Sequence, residues 1–504
     1  MMKVQLQGNV SVEVPDLFAS AASAGDDGAL DLRLLVGGEW RAAAKGEAFD
    51  VRTPIDGSVV ARAAKASPED VEAAIAAACE ARTRFRSLPA AERLEICETA
   101  ADIIDRERET FVRAIVADIG KTPEQARSEV NATRERLGLV REEVRKIFGE
   151  YVPGDWIGET AGKSAVVLRE PLGTVAAFGP FNYPLFLVAS KIIPALAAGN
   201  TVVAKAPSEA PIPLVLFARV LEEAGLPPGV LNVITGPGGE IGELLASHEN
   251  ISMISFTGST GAGRSIAAAA GPKPMHLELG GKAAAIVLAD SDLDRAVEKL
   301  VLGALKNAGQ RCDAISRVLV EQPIYETYLE RVLEEVDGWT VGDPRADGTK
   351  VGPLVNEKAA EFVQGLVEDA TGKGARLLAG GEVWDAYHQP TVLADVPLEA
   401  DIAWEETFGP VVTILPVADL DEALDLANRS RYGLDSAVFT SSLDNAWRAA
   451  RALEVGQVTI NDAPAHGVGH FPFGGRKPDS GIGREGLGYS IDECTVLKTI
   501  VMPS

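Results

Sequence analysis

The feature that most constrains the fold is a regular alternation of short apolar segments with longer mixed segments between residues 171 and 279. Short apolar segments of this kind are typical of strands buried on both faces of a parallel sheet. We predict strands at 175–178, 201–204, 231–234 and 253–256, and helices at 191–198, 214–224 and 241–247. Strands that alternate with helices form βαβ units, so the chain should be an α/β protein with a doubly wound parallel sheet. Such sheets bind ligands at the carboxyl ends of their strands.

The same pattern restarts near residue 284 and continues to about residue 456. We interpret this block as a second α/β domain, with strands at 284–288 and 317–320 and helices at 293–306 and 325–336. The hinge between the two domains should lie near residues 278–281. The first domain should comprise residues 31–153 and 171–279, and the second residues 280–456. Residues 68–148 are predicted to be helical, with Ser67 capping a first turn that contains Pro68.

The chain ends and the composition narrow the class of protein. Residues 1–30 are poorly patterned and are interpreted as an N-terminal extension or a loosely docked arm. The net charge of −25 disfavours nucleic acid or an anionic membrane as a partner, and no apolar run is long enough to span a bilayer. No signal-peptide pattern opens the chain, so we predict a cytoplasmic protein.

Four scattered cysteines argue against disulfides and against a metal site, and Cys79 and Cys97 are interpreted as packing residues.

Two features suggest a dinucleotide site. Residues 256–263, which include Gly258, Ser259 and Gly263, follow a predicted strand and open a helix. Free amides at a helix N-terminus attract phosphate, although an ordinary tight turn fits these residues equally well. Lys205 ends another predicted strand, where its amine would reach a ribose or a phosphate; a solvated strand end is the alternative.

Three further residues suggest covalent catalysis. Cys312 lies among small and polar residues and would serve as a nucleophile, although Asp313 beside it should discourage the thiolate unless its carboxylate points away. Glu278, in an apolar strand, would serve as a general base, or else as a core residue paired with Lys282 or Arg311. Asn182 lies in a turn stiffened by two prolines and would donate to an oxyanion, or else form an Asx turn.

Several segments together resemble the aldehyde dehydrogenase superfamily, in order and with family-like spacing from about residue 35 to the C-terminus. The segments are 180–184 (PFNYP), 256–260 (FTGST), 277–282 (LELGGK), 309–312 (GQRC), 405–410 (EETFGP), 461–462 (ND) and 471–475 (FPFGG). Within the superfamily the chain is most similar to non-phosphorylating glyceraldehyde-3-phosphate dehydrogenases and to lactaldehyde-type enzymes. The resemblance implies a cofactor domain, a catalytic domain and an oligomerisation element at 154–170 and 487–504, and hence a homodimer or homotetramer.

The resemblance also implies roles for individual residues. Cys312 would attack the aldehyde, Asn182 and the Cys312 amide would form an oxyanion hole, and Glu278 would activate water. On the cofactor side, Lys205 would bind the adenosine ribose, Ser259 the pyrophosphate and Glu406 the nicotinamide ribose, with Phe408 packed nearby. NAD-preferring members often carry Glu where Ser208 stands, so the resemblance implies NADP or NAD, with NADP slightly favoured.

The substrate expected from the resemblance is a small aldehyde: glyceraldehyde 3-phosphate, glyceraldehyde or a lactaldehyde-like compound. Tyr183 and Arg311 match the phosphate contacts of the glyceraldehyde-3-phosphate enzymes, whereas His466 stands in place of an expected arginine. The arginine expected near residue 132 is missing, and Arg134 or Arg136 would have to replace it. A CoA-acylating semialdehyde dehydrogenase and a non-catalytic structural homologue are the alternative functions. Glu278 argues against the former, and the filled catalytic positions argue against the latter.

Overall fold

The computed structural model describes residues 8–145, 147–467 and 469–503. Residues 1–7 of the predicted extension and Ser504 of the predicted oligomerisation element lie outside these ranges, as does Lys146 of the predicted helical stretch. The α-helices are, in chain order, α1 (Pro68–Ser87), α2 (Ala90–Arg106), α3 (Arg108–Ile119), α4 (Pro123–Val144), α5 (Phe186–Ala198), α6 (Ile212–Glu223), α7 (Gly238–Ser247), α8 (Thr260–Ala270), α9 (Leu293–Leu305), α10 (Tyr325–Asp337), α11 (Glu357–Gly372), α12 (Leu420–Asn428), α13 (Leu443–Ala452) and α14 (Leu487–Glu493).

The strands are β1 (Ala22–Ala24), β2 (Leu30–Leu32), β3 (Leu34–Val36), β4 (Glu39–Arg41), β5 (Ala48–Arg52), β6 (Val59–Ala64), β7 (Glu150–Pro153), β8 (Lys163–Pro171), β9 (Thr174–Phe178), β10 (Thr201–Lys205), β11 (Leu231–Ile234), β12 (Met253–Thr257), β13 (Met275–Glu278), β14 (Ala283–Val287), β15 (Ile315–Glu321), β16 (Arg376–Ala379), β17 (Val383–Trp384), β18 (Tyr387–His388), β19 (Thr391–Ala394), β20 (Val411–Val417), β21 (Asp435–Phe439), β22 (Gln457–Ile460), β23 (Gly481–Ile482) and β24 (Thr495–Pro503). Within the described residues, no helix combines the length and apolar character that a bilayer span requires.

Two parallel-rich sheets form the centre of the molecule and confirm the predicted α/β class. In the first sheet the strand order is β23-β13-β12-β9-β10-β11-β3-β4, with parallel pairing from β13 to β11. In the second sheet the order is β16-β19-β20-β15-β14-β21-β22. The chain crosses from one sheet to the other directly between β13 and β14, over residues 279–282, where the sequence predicts the hinge. The predicted domain limits remain a prediction.

The first sheet is covered by helices on both faces, as its apolar strands predict. Val175 and Ala177 of β9 pack in one hydrophobic cluster with residues of α2 to α6. Ala176 and Phe178, which point to the opposite face, pack in another cluster with residues of α1, α7 and α8. Because successive strand residues face opposite sides, both faces of residues 175–178 of β9 must be apolar.

The helix that follows the PFNYP turn begins earlier than the sequence predicts. We expected a helix at 191–198, whereas α5 begins at Phe186. The backbone amides of Leu185 and Phe186 donate to Glu129 Oε1 over 2.9 and 3.1 Å. A carboxylate of α4 therefore satisfies the open amides of the first turn, as a side-chain cap would. This partner is distant in sequence, so local patterns do not reveal it.

The expectation that residues 1–30 form a loosely docked arm is wrong for the described part, residues 8–30. Phe18 is fully buried and packs edge-to-face on Phe111 of α3, with ring centroids 6.1 Å apart. Strand β1 pairs with β2 in a sheet of order β1-β2-β6-β5. The guanidinium of Arg219 also donates to Leu17 O over 3.0 Å. Short strands with few apolar residues gave no periodic signal, although Phe18, Ala21 and Leu30 of the segment are buried in the core.

A third sheet projects from the molecule where the oligomerisation element is predicted. Strand β24 pairs antiparallel with β8 over their full length, and β8 pairs with β7. Much of this sheet is exposed, including large apolar side chains such as Tyr151, Leu497 and Val501.

Candidate active site

A cleft of about 790 Å³ lies where the carboxyl ends of β9, β10 and β12 face loops of the second sheet. Eight of the predicted site residues line it: Asn182, Lys205, Ser208, Gly258, Ser259, Cys312, Glu406 and Phe408. This position agrees with the general rule that ligands of doubly wound sheets bind at the carboxyl ends of the strands. The fold therefore brings together residues that are far apart in sequence.

The loop that carries Cys312 has an unusual backbone. Asn307, Ala308 and Gly309 adopt φ values of 56°, 52° and 71° in succession. Left-handed conformations cost energy for residues with a β-carbon, so the surrounding structure must impose them. Gly309 cannot be replaced, because a β-carbon there would lie 2.1 Å from the carbonyl oxygen of Gly409. This strained turn positions Cys312 directly before β15.

Asn182 is tied to the same loop. Its side-chain amide donates to Gln310 O over 2.9 Å, and the Asn307 amide donates to Asn182 O over 3.4 Å. The rigid Asn turn and the cysteine loop are thus held against each other. The bond to Gln310 employs one amide hydrogen of Asn182, and the amide has a second one to offer.

The Cys312 thiol is held in its protonated form. Burial raises its pKa well above the ordinary value, and the negative charges of Asp313 and Glu278 act in the same direction. Asp313 is turned toward other partners: its Oδ1 accepts from Arg311 Nε over 2.9 Å and its Oδ2 accepts from the His466 amide over 3.1 Å. The nucleophile therefore requires a nearby base or positive charge to become a thiolate.

Glu278 ends β13, and its carboxyl group is buried. Neither carboxyl oxygen has a hydrogen-bond partner among the described protein atoms, and burial raises the pKa of Glu278 to about 8. The core partners considered from the sequence are engaged elsewhere: Lys282 donates to Thr407 Oγ1 over 2.8 Å, and Arg311 pairs with Asp313. The carboxyl lies behind the residues that line the cleft, close enough to Cys312 to affect its thiol.

The predicted cofactor residues of the first sheet lie at the end of the cleft opposite to Cys312 and Asn182. Burial lowers the pKa of Lys205 to about 8. Lys205 Nζ lies 3.4 Å from Ser208 Oγ, which itself donates to Gly236 O over 3.1 Å. Ser259 caps α8 by accepting from the Ala262 amide over 3.3 Å. Gly263 lies under this turn, where a β-carbon would come within 2.2 Å of Leu279 Cδ2.

The cleft wall on the second-sheet side contains Glu406 and Phe408. The backbone amide of Gly281 donates to Glu406 Oε1 over 2.9 Å, and burial raises the pKa of Glu406 to about 7. Phe408 has a φ of 49° and packs edge-to-face on Phe181, with centroids 5.8 Å apart. Phe181 follows β9 of the first sheet and Phe408 precedes β20 of the second, so this ring contact joins the two sides of the cleft.

The predicted substrate residues lie beyond the cleft-lining set. Lys121 Nζ lies 3.4 Å from the ring centroid of Tyr183, so this phenol is beside a positive charge. The Arg311 guanidinium also donates to Pro464 O over 3.2 Å. His466 packs on Phe186 and Phe473, and its Nε2 lies 3.4 Å from Glu485 Oε1.

Of the two arginines considered as substitutes, Arg134 is exposed, whereas Arg136 is fully buried with its Nη2 3.9 Å from Glu485 Oε1. The substrate roles of Tyr183, Arg311 and His466 remain predictions.

Sequence reasoning missed the buried charge network behind Glu278. Glu485 accepts from Lys191 Nζ over 3.2 Å, and the His276 ring lies 3.8 Å away. Position 276 lies two residues before Glu278 and thus on the same face of β13. That spacing was available from the sequence, but Lys191 and Glu485 come from distant segments.

Similarity to known proteins agrees with this geometry. The family model described as "Aldehyde dehydrogenase family" matches residues 40–500. The chain belongs to the aldehyde dehydrogenase family. It is 40% identical to the NADP-dependent glyceraldehyde-3-phosphate dehydrogenase of Streptococcus equinus, over 92% of this chain and 97% of the relative. It is 37% identical to the 3-sulfolactaldehyde dehydrogenase of Priestia aryabhattai, over 93% and 97% of the two chains.

Solved structures show the same relationship. The crystal structure of NADP-dependent glyceraldehyde-3-phosphate dehydrogenase from Bacillus halodurans C-125, complexed with NADP, superimposes with a TM-score of 0.91. The two sequences are 38% identical, and the match covers 94% of this chain and 99% of that one. The predicted family, the fold class and the assignment as an aldehyde dehydrogenase enzyme are confirmed.

Proposed function

We propose that this aldehyde dehydrogenase oxidises a small aldehyde to the carboxylic acid with NADP or NAD, through a thiohemiacetal and a thioester on Cys312. The observation that carries the proposal is that Cys312 and Asn182 share one cleft with Lys205, Ser259 and Glu406. A nucleophile and an amide donor at one end and a cation with a helix N-terminus at the other suit an aldehyde and a dinucleotide.

The first half of the reaction is assigned to Cys312 and Asn182. The Cys312 thiol gives up its proton to solvent water in the cleft, and the thiolate sulfur attacks the aldehyde carbon. The second amide hydrogen of Asn182 and the Cys312 backbone N–H stabilise the oxyanion. The nicotinamide cofactor, when bound, supplies the acceptor for the hydride that leaves the thiohemiacetal carbon. Loss of that hydride leaves a thioester on Cys312.

The second half is assigned to Glu278. Its carboxylate takes a proton from water, and the resulting hydroxide attacks the thioester carbonyl carbon and releases the acid and the Cys312 thiolate. Burial raises the pKa of Glu278 to about 8 even with positive charges nearby, so the ionised form that acts as the base becomes more abundant as pH rises toward 8.

For the dinucleotide, the polar groups of the cleft match the two ends of the cofactor. Lys205 and the open amides at the N-terminus of α8 would hold the negatively charged adenosine side, and the Glu406 carboxylate would accept from the hydroxyls of the nicotinamide ribose. With Ser208, rather than Glu, next to Lys205, a 2′-phosphate meets no repulsion from that position. The names of the relatives from S. equinus and B. halodurans also state NADP. We assign NADP as the slightly preferred cofactor.

For the substrate, the relatives named above act on three-carbon aldehydes that carry an anionic group. We assign glyceraldehyde 3-phosphate, glyceraldehyde and lactaldehyde-like compounds as the substrate class. Arg311 would supply positive charge and Tyr183 a hydroxyl donor for an anionic group, whereas Lys121 behind the phenol is paired with Glu129 at 2.6 Å. Asp313 offsets part of that charge, which favours moderate rather than strong selection for a phosphate.

For the assembly, the third sheet supports a homodimer or homotetramer. Trp156, Ile157 and Leu497 are exposed by 80%, 63% and 59%, and a surface of this kind is typical of a subunit contact. We place the enzyme in the cytoplasm, because the proposed chemistry needs Cys312 as a free thiol and reducing compartments preserve thiols.

The deciding experiment is reduction of NADP+ and NAD+ with a panel of small aldehydes, with and without CoA. The proposal expects reduction without CoA and release of the free acid. Reduction that requires CoA would favour an acylating enzyme, and no reduction with any aldehyde would favour a non-catalytic homologue.

A further inference from the structure

One histidine behind the proposed general base is surrounded by carboxyl groups. His276 and Glu278 project from the same face of β13, and the His276 ring is buried. Its Nε2 lies 3.9 Å from Glu278 Oε1 and 3.8 Å from Glu485 Oε2. Its Nδ1 lies 2.7 Å from Glu493 Oε2, within hydrogen-bond distance. The ring therefore connects the general base to two further carboxyl groups.

These surroundings favour the imidazolium. Burial lowers the pKa of His276, but the nearby carboxylate of Glu485, the hydrogen bond to Glu493 and the charge of Glu278 outweigh burial and raise it to about 9. An imidazolium donates from both ring nitrogens, so Nδ1–H is directed to Glu493 while Nε2–H faces the other two acids. Glu493 also accepts from the Arg484 amide over 2.9 Å, which fixes its position.

Glu485 has its own counter-charges. Lys191 of α5 lies 3.2 Å from its Oε2, and His466 lies 3.4 Å from its Oε1. Burial raises the pKa of Glu485, but these contacts and His276 outweigh burial and hold it well below its ordinary value. Because Lys191 pairs directly with Glu485, the charge of His276 is not confined to Glu485 and also acts on Glu278.

The remaining charged groups around Glu278 have opposing effects on its pKa. Lys191 and Arg484 favour its ionised form, and Glu485 opposes it. Asp435 of β21 is also close enough to interact with Glu278, and the Cys312 thiol lies on the cleft side. Among the charged groups around Glu278, His276 has the largest effect toward the ionised form.

We propose that His276 is a positioning residue that, as an imidazolium fixed by Glu493, favours the ionised form of Glu278 for hydrolysis of the thioester. The proposal rests on the proposed role of Glu278 as general base. Glu278 has no hydrogen-bond partner among the described protein atoms, so its charge depends on surrounding charges rather than on direct donors. His276 touches neither the substrate nor the cofactor and acts only through Glu278.

The test compares the pH dependence of two partial reactions in the full-length enzyme with NADP+ and glyceraldehyde. Formation of reduced cofactor in the first turnover measures the steps before the thioester, and rapid-quench measurement of acid measures hydrolysis. The variants are His276→Asn and Glu493→Gln. The matched control is His248→Asn, which removes another histidine–glutamate pair, His248 Nε2 to Glu72 Oε2 at 3.1 Å, on the protein surface.

In His276→Asn, the pH at which hydrolysis reaches half its maximum should rise by about one to three pH units, because an adjacent cation lowers an acid's pKa by that amount. Glu493→Gln should shift it in the same direction by less, and His248→Asn should not shift it. The pH midpoint of hydrolysis should change in this way, whereas the pH midpoint of the first-turnover burst should stay the same.

A His276→Asn enzyme in which hydrolysis falls by the same factor at every pH would overturn the proposal, since it would indicate a structural role. If His276→Asn does not fold, an unshifted midpoint in Glu493→Gln would overturn it. A different result would contradict the proposed function. If Glu278→Gln hydrolysed the thioester at the normal rate, Glu278 would not be the general base.

Discussion

The side-chain amide of Asn182 donates a hydrogen bond to the carbonyl oxygen of Gln310 over 2.9 Å, two residues before Cys312. This bond joins the turn after β9 to the loop before β15, and so connects the two sheets at the point of the proposed chemistry. Both loops are rigid for local reasons: prolines flank Asn182, and left-handed residues precede Gln310. The oxyanion donor is therefore in place before the substrate arrives, which is the condition for electrostatic stabilisation of a transition state.

Asn182→Ala should lower the rate of the first-turnover hydride transfer by about 10²–10³-fold, the usual loss when one oxyanion donor is removed. Stopped-flow absorbance of the reduced cofactor measures this rate. Thermal unfolding of the same variant serves as a control for damage to the loop. A rate within about threefold of the parent enzyme would contradict the assigned role.

Ser208→Glu should shift cofactor preference from NADP+ toward NAD+ by about 1–3 kcal/mol, because a carboxylate would then face the 2′-phosphate. The ratio of kcat/KM for the two cofactors measures the change. Ser247→Glu is the matched control, since it adds the same charge at an exposed serine at the end of α7. An unchanged ratio in Ser208→Glu would mean that residue 208 does not face the ribose.

The affinity for NADP+ should weaken as pH rises through about 8. Burial lowers the pKa of Lys205 to about 8, so the amine is charged below this pH and becomes neutral above it. A bound phosphate requires the charged form, and affinity should fall by up to about tenfold per pH unit once the free enzyme has lost the proton. Titration calorimetry at several pH values measures this, and Lys205→Met should remove the dependence.

Gly281→Ala should impair activity through a steric effect. A β-carbon at this position would lie 2.3 Å from the carbonyl oxygen of Cys312. Either the cysteine loop or the bond from the Gly281 amide to Glu406 must then move, at a cost of about 1–3 kcal/mol in stability. Gly365→Ala on α11 is the control, because no described atom outside the backbone of that helix lies within 4 Å of its methyl position, and it should be neutral or stabilising. Thermal unfolding and kcat distinguish the two variants, and equal behaviour would contradict the close approach.

The sequence predicts those features that depend on local pattern. Apolar segments such as residues 231–234 coincide with β11, and Ser67 caps α1 through a capping box with Asp70, as its position before Pro68 suggests. The family motifs likewise locate the cleft residues. Features that depend on contacts distant in sequence are not predictable in this way. The early start of α5 requires Glu129 of another helix, and the burial of Phe18 requires Phe111.

The charge state of the site is the clearest example of what the sequence does not reveal. Asp313 raises the pKa of the Cys312 thiol, as its position suggests, but the sequence does not reveal that Arg311 and the His466 amide engage its carboxylate. Glu278 has the residue type of a base, yet burial raises its pKa to about 8, an effect that His276 and Lys191 offset only in part. Such effects are sums over several segments of the chain, so they follow only from the assembled fold.

In the proposed reaction the aldehyde becomes a thioester on Cys312 that Glu278 helps to hydrolyse. The most direct test is intact-protein mass spectrometry of Glu278→Gln after mixing with NADP+ and glyceraldehyde, followed by peptide mapping. We expect one equivalent of reduced cofactor and a protein mass increased by one acyl group. Peptide mapping should place that group on Cys312 rather than on Cys79, Cys97 or Cys494. Cys312→Ser should show neither the burst nor the adduct. Continuous turnover of Glu278→Gln without an adduct, or an adduct on another cysteine, would contradict the proposed reaction.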